Sequence, residues 1–417
     1  MPPIDSPPEF SSLDPSDPAF AVTAVDALLP MAIQRGASDV HLQPRENGWE
    51  IWFRVDGVLT RAGLLEGGGS SDPVSRLMVL AGLPTYRSSQ PMEGRLQWGQ
   101  SSDAGEVSMR LGVFPTVHGA RAVIRLLRHH SEHETIETLG LTESGQQTLL
   151  DLCSQTDGAV LLAGPAGSGK TTSMYAMLRE IGGRTPRRSV MTIEDPVETV
   201  VESISQSEID ANGGMTLASA LRSAVRQDSE VLLVSEIRDP ETAEAAMQAS
   251  LTGHLVFSSL HAADVASALR RMVQLGIPQF VINSGVRAII AQRLLRKLCP
   301  GCRTGNQAKG ETGSSEESSR RTQPDDLCSD CGGIGYQGRL AVAQIVRFDG
   351  ADPVGDAIMN SLEAGASLAA IRQAAEAAGG IDLSVQAAEL VRQGVTDQDE
   401  VYRVLGRSTV DGPMKTA

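Results

Sequence analysis

The most specific spacing in the sequence is that of glycines leading into a lysine and two threonines. Residues 164–171 read G-P-A-G-S-G-K-T, after the apolar run 159–163 and before a helical pattern. Glycines let backbone N–H groups surround a phosphate, while the lysine binds its oxygens and the hydroxyl binds Mg²⁺. A chance glycine-rich turn is the alternative, which the flanking strand and helix disfavour. We predict that the nucleotide site comprises Gly164, Pro165, Ala166, Gly167, Ser168, Gly169, Lys170 (also catalytic), Thr171 (also a magnesium ligand) and Thr172.

Two further apolar runs end in carboxylates. Run 189–193 leads into Glu194 and then Glu198, and run 231–234 leads into Glu236. Ligands of open parallel sheets lie beyond the carboxyl ends of the strands, where acids can hold Mg²⁺ or orient an attacking water. We predict that Glu194 and Glu236 are catalytic, that Glu236 also ligates magnesium, and that Glu198 contacts the nucleotide. The alternative is that these are solvated loop acids.

Four of the five cysteines fall in two close pairs. Cys299 and Cys302 form C-x-x-C, and after 25 intervening residues Cys328 and Cys331 repeat it. Four thiolates at this spacing are typical of a closed tetrahedral zinc site, which has a structural role. Two cytosolic redox pairs are the alternative, although such pairs belong near the start of a βαβ unit. The isolated Cys153 is predicted to be an inert core thiol.

Composition limits the class of protein. The 417 residues are 41% hydrophobic and carry 36 Lys and Arg against 51 Asp and Glu, which gives a formal net charge of −15. This charge disfavours general nucleic-acid binding. The start of the chain has no basic residue before an apolar run, and no apolar stretch is long enough to span a bilayer. We expect a soluble cytoplasmic protein.

The elements that must position these residues fall into six segments. Helical spacing predicts a helix at 21–35 that Pro30 bends or interrupts, and short strands follow in a small α+β domain. Beyond residue 140, buried strands alternate with helices, as in a parallel α/β sheet. The predicted segments are a disordered lead-in (1–18), an α+β domain (19–128), a linker (129–139), an ATPase core (140–298), a zinc-binding insert with four cysteines (299–338) and a C-terminal helical region (339–417).

The sequence resembles the secretion ATPases of type II secretion and type IV pilus assembly. The likeness runs from about residue 21 to residue 405. It implies an α/β P-loop NTPase (RecA-like) domain preceded by a small α+β domain, with a zinc-binding insert and a helical C-terminal region. The blocks that carry it are residues 35–44, 53–59, 192–198, 225–228, 235–239, 241–261, 291–300 and 328–339.

The resemblance assigns further roles. Glu194, Asp195 and Glu198 match an acid-rich box that contacts the nucleotide. His254 and His261 match a histidine box, in which His261 is catalytic and His254 contacts the nucleotide. Two arginines match residues that reach the nucleotide when the two domains close, where a permanent charge stabilises γ-phosphate charge. These catalytic arginines are Arg110 and Arg125, for which cross-strand pairing with acids is the alternative.

The resemblance also implies a setting. We expect a ring, by likeness a homohexamer, that hydrolyses ATP and drives an inner-membrane platform protein while remaining peripheral to the membrane. The paired cysteines favour assembly or secretion over retraction, and we expect the segment ahead of the first domain to leave no room for an extra docking domain. The alternatives are a DNA-uptake or other ring translocase, for which 293–297 is the one basic candidate, and a nucleotide-binding scaffold without turnover.

The chain departs from the family pattern at several positions. Ser229 and Glu230 replace a usual Pro-Asp, and Ser235 replaces the glycine before Glu236. Residues 92–95 read M-E-G-R where Q-D-G-R is usual, and Gln344 stands where an acid is common. None of these changes removes a phosphate-loop group, but Ser235 affects the expected geometry at Glu236.

Overall fold

The computed structural model divides the chain into two compact units between residues 129 and 130. The structure describes residues 10, 13–67, 72–87, 90–98, 107–127, 133–210, 213–302, 328 and 331–407. Each unit has its own sheet and its own hydrophobic core, so each is described by itself.

The first unit is an antiparallel sheet with helices packed on one face. Its described strands follow the order β3-β2-β1-β6-β5-β4. Alternate residues such as Val40, Leu42 and Ile124 are buried against the helices, while the residues between them face the other side. The elements are α1 (Phe20–Gln34), β1 (Asp39–Arg45), β2 (Gly48–Val55), β3 (Val58–Glu66), α2 (Pro73–Leu80), β4 (Met92–Trp98), β5 (Val107–Thr116) and β6 (Gly119–Leu127).

Two features of this unit differ from expectation. Helix α1 continues through Pro30, which lies on the exposed side of the helix. The prediction of a disordered lead-in is wrong where the structure describes it. Phe10 is 2% exposed, and Leu13 also packs against the core. Both side chains belong to the hydrophobic cluster that contains buried residues of α1. Residues 1–9 and 11–12 lie outside the described part of the chain.

The second unit is built on a mainly parallel sheet of the order β13-β12-β7-β11-β10-β8-β9 among its described residues. Only the β12–β13 pair is antiparallel within that part of the chain. The strands are β7 (Gly158–Ala163), β8 (Val190–Glu194), β9 (Ser205–Glu208), β10 (Val231–Val234), β11 (Leu255–Leu260), β12 (Val286–Leu298) and β13 (Tyr336–Arg347). The three core strands predicted from the apolar runs 159–163, 189–193 and 231–234 are confirmed with end shifts of at most one residue.

Helices cover both faces of this sheet. The helices α3 and α4 pack on one face, and α5 to α10 pack on the other. The two last helices, α11 and α12, pack near the end of β12. The helices are α3 (Glu143–Cys153), α4 (Lys170–Gly183), α5 (Leu217–Ala224), α6 (Pro240–Leu251), α7 (Val265–Gln274), α8 (Gln279–Gly285), α9 (Pro353–Glu363), α10 (Leu368–Ala377), α11 (Leu383–Arg392) and α12 (Gln398–Leu405).

Two predicted segment boundaries are corrected. Residues 136–139 form a short 3-10 turn whose Ile136 and Leu139 are buried in the second unit, so they are not linker. The region from 339 does not begin as helix, because 339–347 belongs to β13, which pairs with β12 in antiparallel register. Helices begin at Pro353.

Candidate functional site

The glycine-rich loop lies between a buried strand and the start of a helix. All six residues of β7 are buried, and α4 begins at Lys170 after Gly169, whose φ is +87°. Gly167 also has a positive φ of +74°, and a Cβ there would meet open space. The loop therefore holds its backbone in the left-handed region at two glycines, as a phosphate cradle requires.

Two observations show that this loop fits a phosphate group. A Cβ at Gly164 would lie 2.3 Å from Ser168 Oγ and 2.7 Å from Gln292 O, so the loop closes tightly at that point. Ser168 is 3% exposed, and its hydroxyl has no hydrogen-bond partner within the described chain. A buried donor left without a partner is costly unless a ligand or water satisfies it.

Lys170 is folded onto its own loop. Its Nζ donates to the carbonyl oxygens of Gly164 at 2.8 Å and Pro165 at 3.0 Å. Burial lowers the pKa of Lys170, and the charge of Glu236 opposes this effect in part. The ammonium group thus lies at the loop, within the field of the acid predicted to act beside it. Thr171 and Thr172 follow in the first turn of α4, half-buried.

Glu236 follows β10 at the carboxyl edge of the sheet. One of its carboxylate oxygens pairs with Arg238, and the other lies 3.4 Å from Nε2 of His261. His261 comes directly after β11, the strand next to β10, and is exposed. The structure therefore brings Lys170, Glu236 and His261 to one edge of the sheet.

Glu194, at the end of β8, has a different environment. It is 2% exposed, and its carboxylate accepts hydrogen bonds from Tyr175, Thr192 and Gln206. Burial and the bond to Glu194 raise the pKa of Tyr175, so its hydroxyl stays protonated as a donor. A carboxylate with three neutral donors is held in one orientation. Glu194 is thus a fixed acceptor between α4 and β9.

The loop after Glu194 carries the other two acids of the predicted box. Asp195 is exposed, and Glu198 is half-buried. Burial lowers the pKa of Lys170, and the charge of Glu198 opposes this effect less strongly than that of Glu236; the backbone of Glu198 bonds to the Tyr175 hydroxyl. Glu198 is therefore electrostatically coupled to the loop lysine.

Ser235 carries a hydroxyl at the position where the resemblance implies glycine. Its backbone N–H donates to Ile193 O at 3.0 Å, and its carbonyl accepts from Ser259 Oγ at 2.8 Å. Its own Oγ is buried without a partner among the residues that the structure describes. The backbone before Glu236 is therefore tied to both neighbouring strands despite the substitution.

His254 does not lie beside the phosphate loop. Its carbonyl accepts from Gly158 N at the start of β7, and its Nδ1 lies 3.2 Å from Ala249 O. The loop begins after Ala163, so His254 is about 16 Å away along the strand, at about 3.3 Å per residue. The nucleotide contact of His254 stays a prediction, and the structure places this residue away from the phosphate loop, because β11 holds the two histidines at its opposite ends.

Arg110 and Arg125 are direct cross-strand partners on β5 and β6 of the first unit. Arg110 pairs with Glu93, and Arg125 Nε donates to Asp39 Oδ1 at 3.0 Å. Their side chains are nevertheless 50% and 68% exposed. The pair of Arg110 with Glu93 is exposed on both sides and is therefore weak, whereas Asp39 is buried and holds Arg125 more firmly. Both guanidinium groups keep exposed surface that an anion can reach.

The four paired cysteines lie together. The Sγ atoms of Cys299 and Cys328 are 3.8 Å apart, those of Cys302 and Cys331 are 3.6 Å apart, and all four lie within 4.8 Å of one another. A tetrahedron with Zn–S bonds of about 2.3 Å has edges of about 3.8 Å, whereas a disulfide needs about 2.05 Å. The cluster is therefore compatible with a zinc ion, and its closest sulfur contacts run between the two C-x-x-C pairs and not within them.

Cys153 is 1% exposed, and burial raises the pKa of its thiol to about 12, so it stays protonated.

The basic candidate at 293–297 is not a solvent-facing stripe. Arg293 is half-buried and donates to the carbonyls of Gln292 and Ala263, and Arg296 is buried against Glu400. Two of the three charges of this candidate are therefore engaged within the fold, and Lys297 is exposed.

Sequence reasoning missed Tyr175, Gln206 and Gln292. Tyr175 lies five residues after Lys170 on α4, and Gln206 lies on a short strand without an apolar pattern. Gln292 interrupts an apolar strand, and a polar residue inside such a run was the available signal.

Comparisons with known proteins agree on one family. The family described as Type II/IV secretion system protein matches residues 14–403. The Type II secretion system ATPase E of Vibrio cholerae is 35% identical over 401 residues, which cover 95% of this chain and 77% of that protein. The Type IV pilus assembly ATPase PilB of Thermus thermophilus is 34% identical over 391 residues, which cover 92% of this chain and 43% of that protein.

A solved structure shows a similar fold. The X-ray structure of the ATPase DotB of Legionella pneumophila matches with a TM-score of 0.68 at 21% identity, and the match covers 93% of this chain and 96% of that one. In the part of the chain that the structure describes, no helix is both long enough and apolar enough to span a bilayer.

Proposed function

We propose a function that starts from family membership: the chain belongs to the Type II/IV secretion system protein family. It is an ATP hydrolase of this family and acts as a motor for type II protein secretion or type IV pilus assembly. We infer that its second unit is a RecA-like P-loop domain. The observation that carries this proposal is the loop at Gly164 to Lys170, with its buried unpartnered Ser168 hydroxyl.

The residues at the edge of the second sheet have distinct proposed roles. Loop N–H groups and Lys170 bind the β- and γ-phosphates of ATP, and Thr171 with Glu236 holds Mg²⁺. When bound, Mg²⁺ neutralises the charge of the phosphates and orients the phosphate oxygens. Glu236 orients the attacking water and accepts its proton, while His261 hydrogen-bonds near the γ-phosphate.

The acid box is proposed to support this chemistry at two levels. Glu194 is fully hydrogen-bonded, so it acts by fixing the following loop and not as a mobile base. Asp195 and Glu198 then face the nucleotide, and the coupling between Glu198 and Lys170 supports this assignment. Arg110 and Arg125 stabilise the charge that develops on the γ-phosphate, because exposed guanidinium groups can bind it with two parallel hydrogen bonds.

The four-cysteine cluster is proposed to bind structural zinc, which would close the end of the β12–β13 hairpin. The wider setting is also a proposal. We infer a ring of identical subunits, by family likeness a hexamer, that acts on an inner-membrane platform protein from the cytoplasmic side.

A scaffold without turnover is the second candidate, since the unpartnered Ser235 hydroxyl lies directly before Glu236. Steady-state phosphate release from Mg-ATP by the full chain separates the two. We expect turnover in the native protein and its loss in Lys170→Ala, because the ammonium charge on the phosphates is gone. Lys297→Ala, which removes an exposed lysine, should keep the native rate. Nucleotide binding without phosphate release in the native protein would support the scaffold instead.

A further inference from the structure

Strand β12 passes beside the phosphate loop and places one buried amide against it. Gln292 is 2% exposed. Its Nε2 donates to the loop carbonyl of Ser168 at 2.9 Å, and its Oε1 accepts from Ser173 Oγ on α4 at 2.8 Å. The side chain therefore joins the loop to the helix that follows it, through two buried hydrogen bonds.

The glycine positions of the loop are shaped around this residue. A Cβ at Gly169 would lie 2.7 Å from Gln292 Nε2, and one at Gly164 would lie 2.7 Å from the backbone oxygen of Gln292. Both ends of the loop thus approach the same residue more closely than a side chain allows. Gln292 therefore limits the volume that the loop can occupy.

The backbone of Gln292 is itself held. It lies next to Ala291, which is in register with Ala163 at the end of β7. Arg293 donates to the Gln292 carbonyl at 2.9 Å and to Ala263 O at 2.8 Å, in the segment that follows His261. The amide is therefore fixed relative to the sheet edge, and rotation of its side chain is limited by Ser173.

We propose that Gln292 is a positioning residue that holds the phosphate loop in its nucleotide-binding conformation. This inference rests on the proposed function, because it concerns the same loop. Without the amide, Ser168 O and Ser173 Oγ lose buried partners, and the loop relaxes into conformations with weaker nucleotide affinity. The effect belongs to binding, so KM should change more than kcat.

The test measures the affinity of the full chain for a fluorescent ADP in Mg²⁺ buffer, together with KM and kcat for ATP. Gln292→Leu is expected to raise the Kd for ADP about tenfold, the size expected for loss of one or two buried hydrogen bonds, and to leave kcat within about twofold. The matched control is Gln386→Leu, which removes another glutamine that donates to a buried-strand carbonyl, Ala343 O at 2.7 Å. The control should lower the melting temperature without changing the Kd.

Two results would overturn the inference: an unchanged Kd in Gln292→Leu, or an equal increase in Gln386→Leu. If Gln292→Leu does not fold, Ser173→Ala removes the bond that orients the amide, and we expect its Kd to rise about threefold. An unchanged Kd there also overturns the inference. A native protein that binds no ADP would instead contradict the proposed function itself.

Discussion

Among single side chains, Glu236 is the one whose replacement should best distinguish nucleotide binding from hydrolysis. Its carboxylate lies between Arg238 and His261 and contributes to the field at Lys170, but it does not contact the phosphate loop through any described hydrogen bond. Replacing it with the isosteric amide keeps the shape of the site and removes the proton acceptor.

We therefore predict that Glu236→Gln lowers kcat by about 100-fold or more, the size of a lost general base, and changes the Kd for ATP by less than about threefold. Phosphate release and equilibrium ATP binding measure the two quantities. Glu241→Gln, which neutralises an exposed acid at the start of α6, should leave both unchanged. Hydrolysis at the native rate in Glu236→Gln would show that Glu236 is not the proton acceptor.

Prediction of single residues succeeded where the functional side chain lies next to a strand that the local sequence pattern already predicts. The positions of Lys170 and Glu236 follow from a strand end and the next few residues, so the sequence alone places them at one sheet edge. His254 and His261 lie in one block of sequence, but strand β11, about 20 Å long, separates them. His254 therefore lies far from the phosphate loop. Gln292 lies 119 residues after Ser173 in the chain, so its contact beside the phosphate loop cannot be predicted from local sequence.

At the scale of elements, the β12–β13 hairpin connects several parts of the second unit. Arg296 on β12 forms a buried pair with Glu400 of α12 at 2.7 Å, and it stacks on Tyr336 with its centre 3.8 Å from the ring. Leu298 N donates to Val395 O at 2.8 Å, and Cys299 follows directly. The four-cysteine cluster therefore closes the end of the hairpin to which the C-terminal helices are attached.

We predict about one zinc ion per chain and a lower melting temperature after chelation, because zinc affinity contributes folding free energy at this end of the hairpin. Metal analysis of the purified protein and thermal unfolding with and without a chelator provide the measurements. Cys302→Ser should lose the metal, whereas Cys153→Ala, at a buried thiol outside the cluster, should keep it. Four freely titrating thiols without zinc in the native protein would show that the cluster is not a metal site.

The sequence predicted buried central strands better than edge elements. Strand β10 is a continuous apolar run, so its bounds follow directly from the pattern. Strand β9 is entirely polar, and β12 and β13 contain charged residues, of which Arg296 on β12 is buried through its pair with Glu400. These strands form because distant partners satisfy their polar groups, which a periodicity argument does not detect.

At the scale of the whole molecule, the two units have separate hydrophobic cores. The core of the first draws on described residues from Phe10 to Leu126, and the cores of the second begin at Ile136. Because the apolar side chains of each unit are buried within it, each meets the main condition for folding alone. A division between residues 129 and 130 therefore separates the phosphate loop from Arg110 and Arg125 without cutting a core.

We predict that the fragment 130–417 folds, binds Mg-ATP with a Kd within about tenfold of the full chain, and hydrolyses it at least about 100-fold more slowly. The reason is that arginine contacts act mainly on charge that develops in the transition state, where they contribute about 10³-fold or more. Circular dichroism, nucleotide binding and phosphate release measure the three outcomes.

Full-length variants separate the arginines from the rest of the first unit. Arg125→Lys should resemble the fragment in kcat, because an ammonium group cannot reproduce two parallel hydrogen bonds to phosphate. Arg45→Ala, which removes an exposed arginine paired with Glu50 on the same sheet, should keep the native rate. If the fragment hydrolyses ATP as fast as the full chain, the first unit serves docking alone, and the exposed pair at Arg110 and Arg125 has no part in the chemistry.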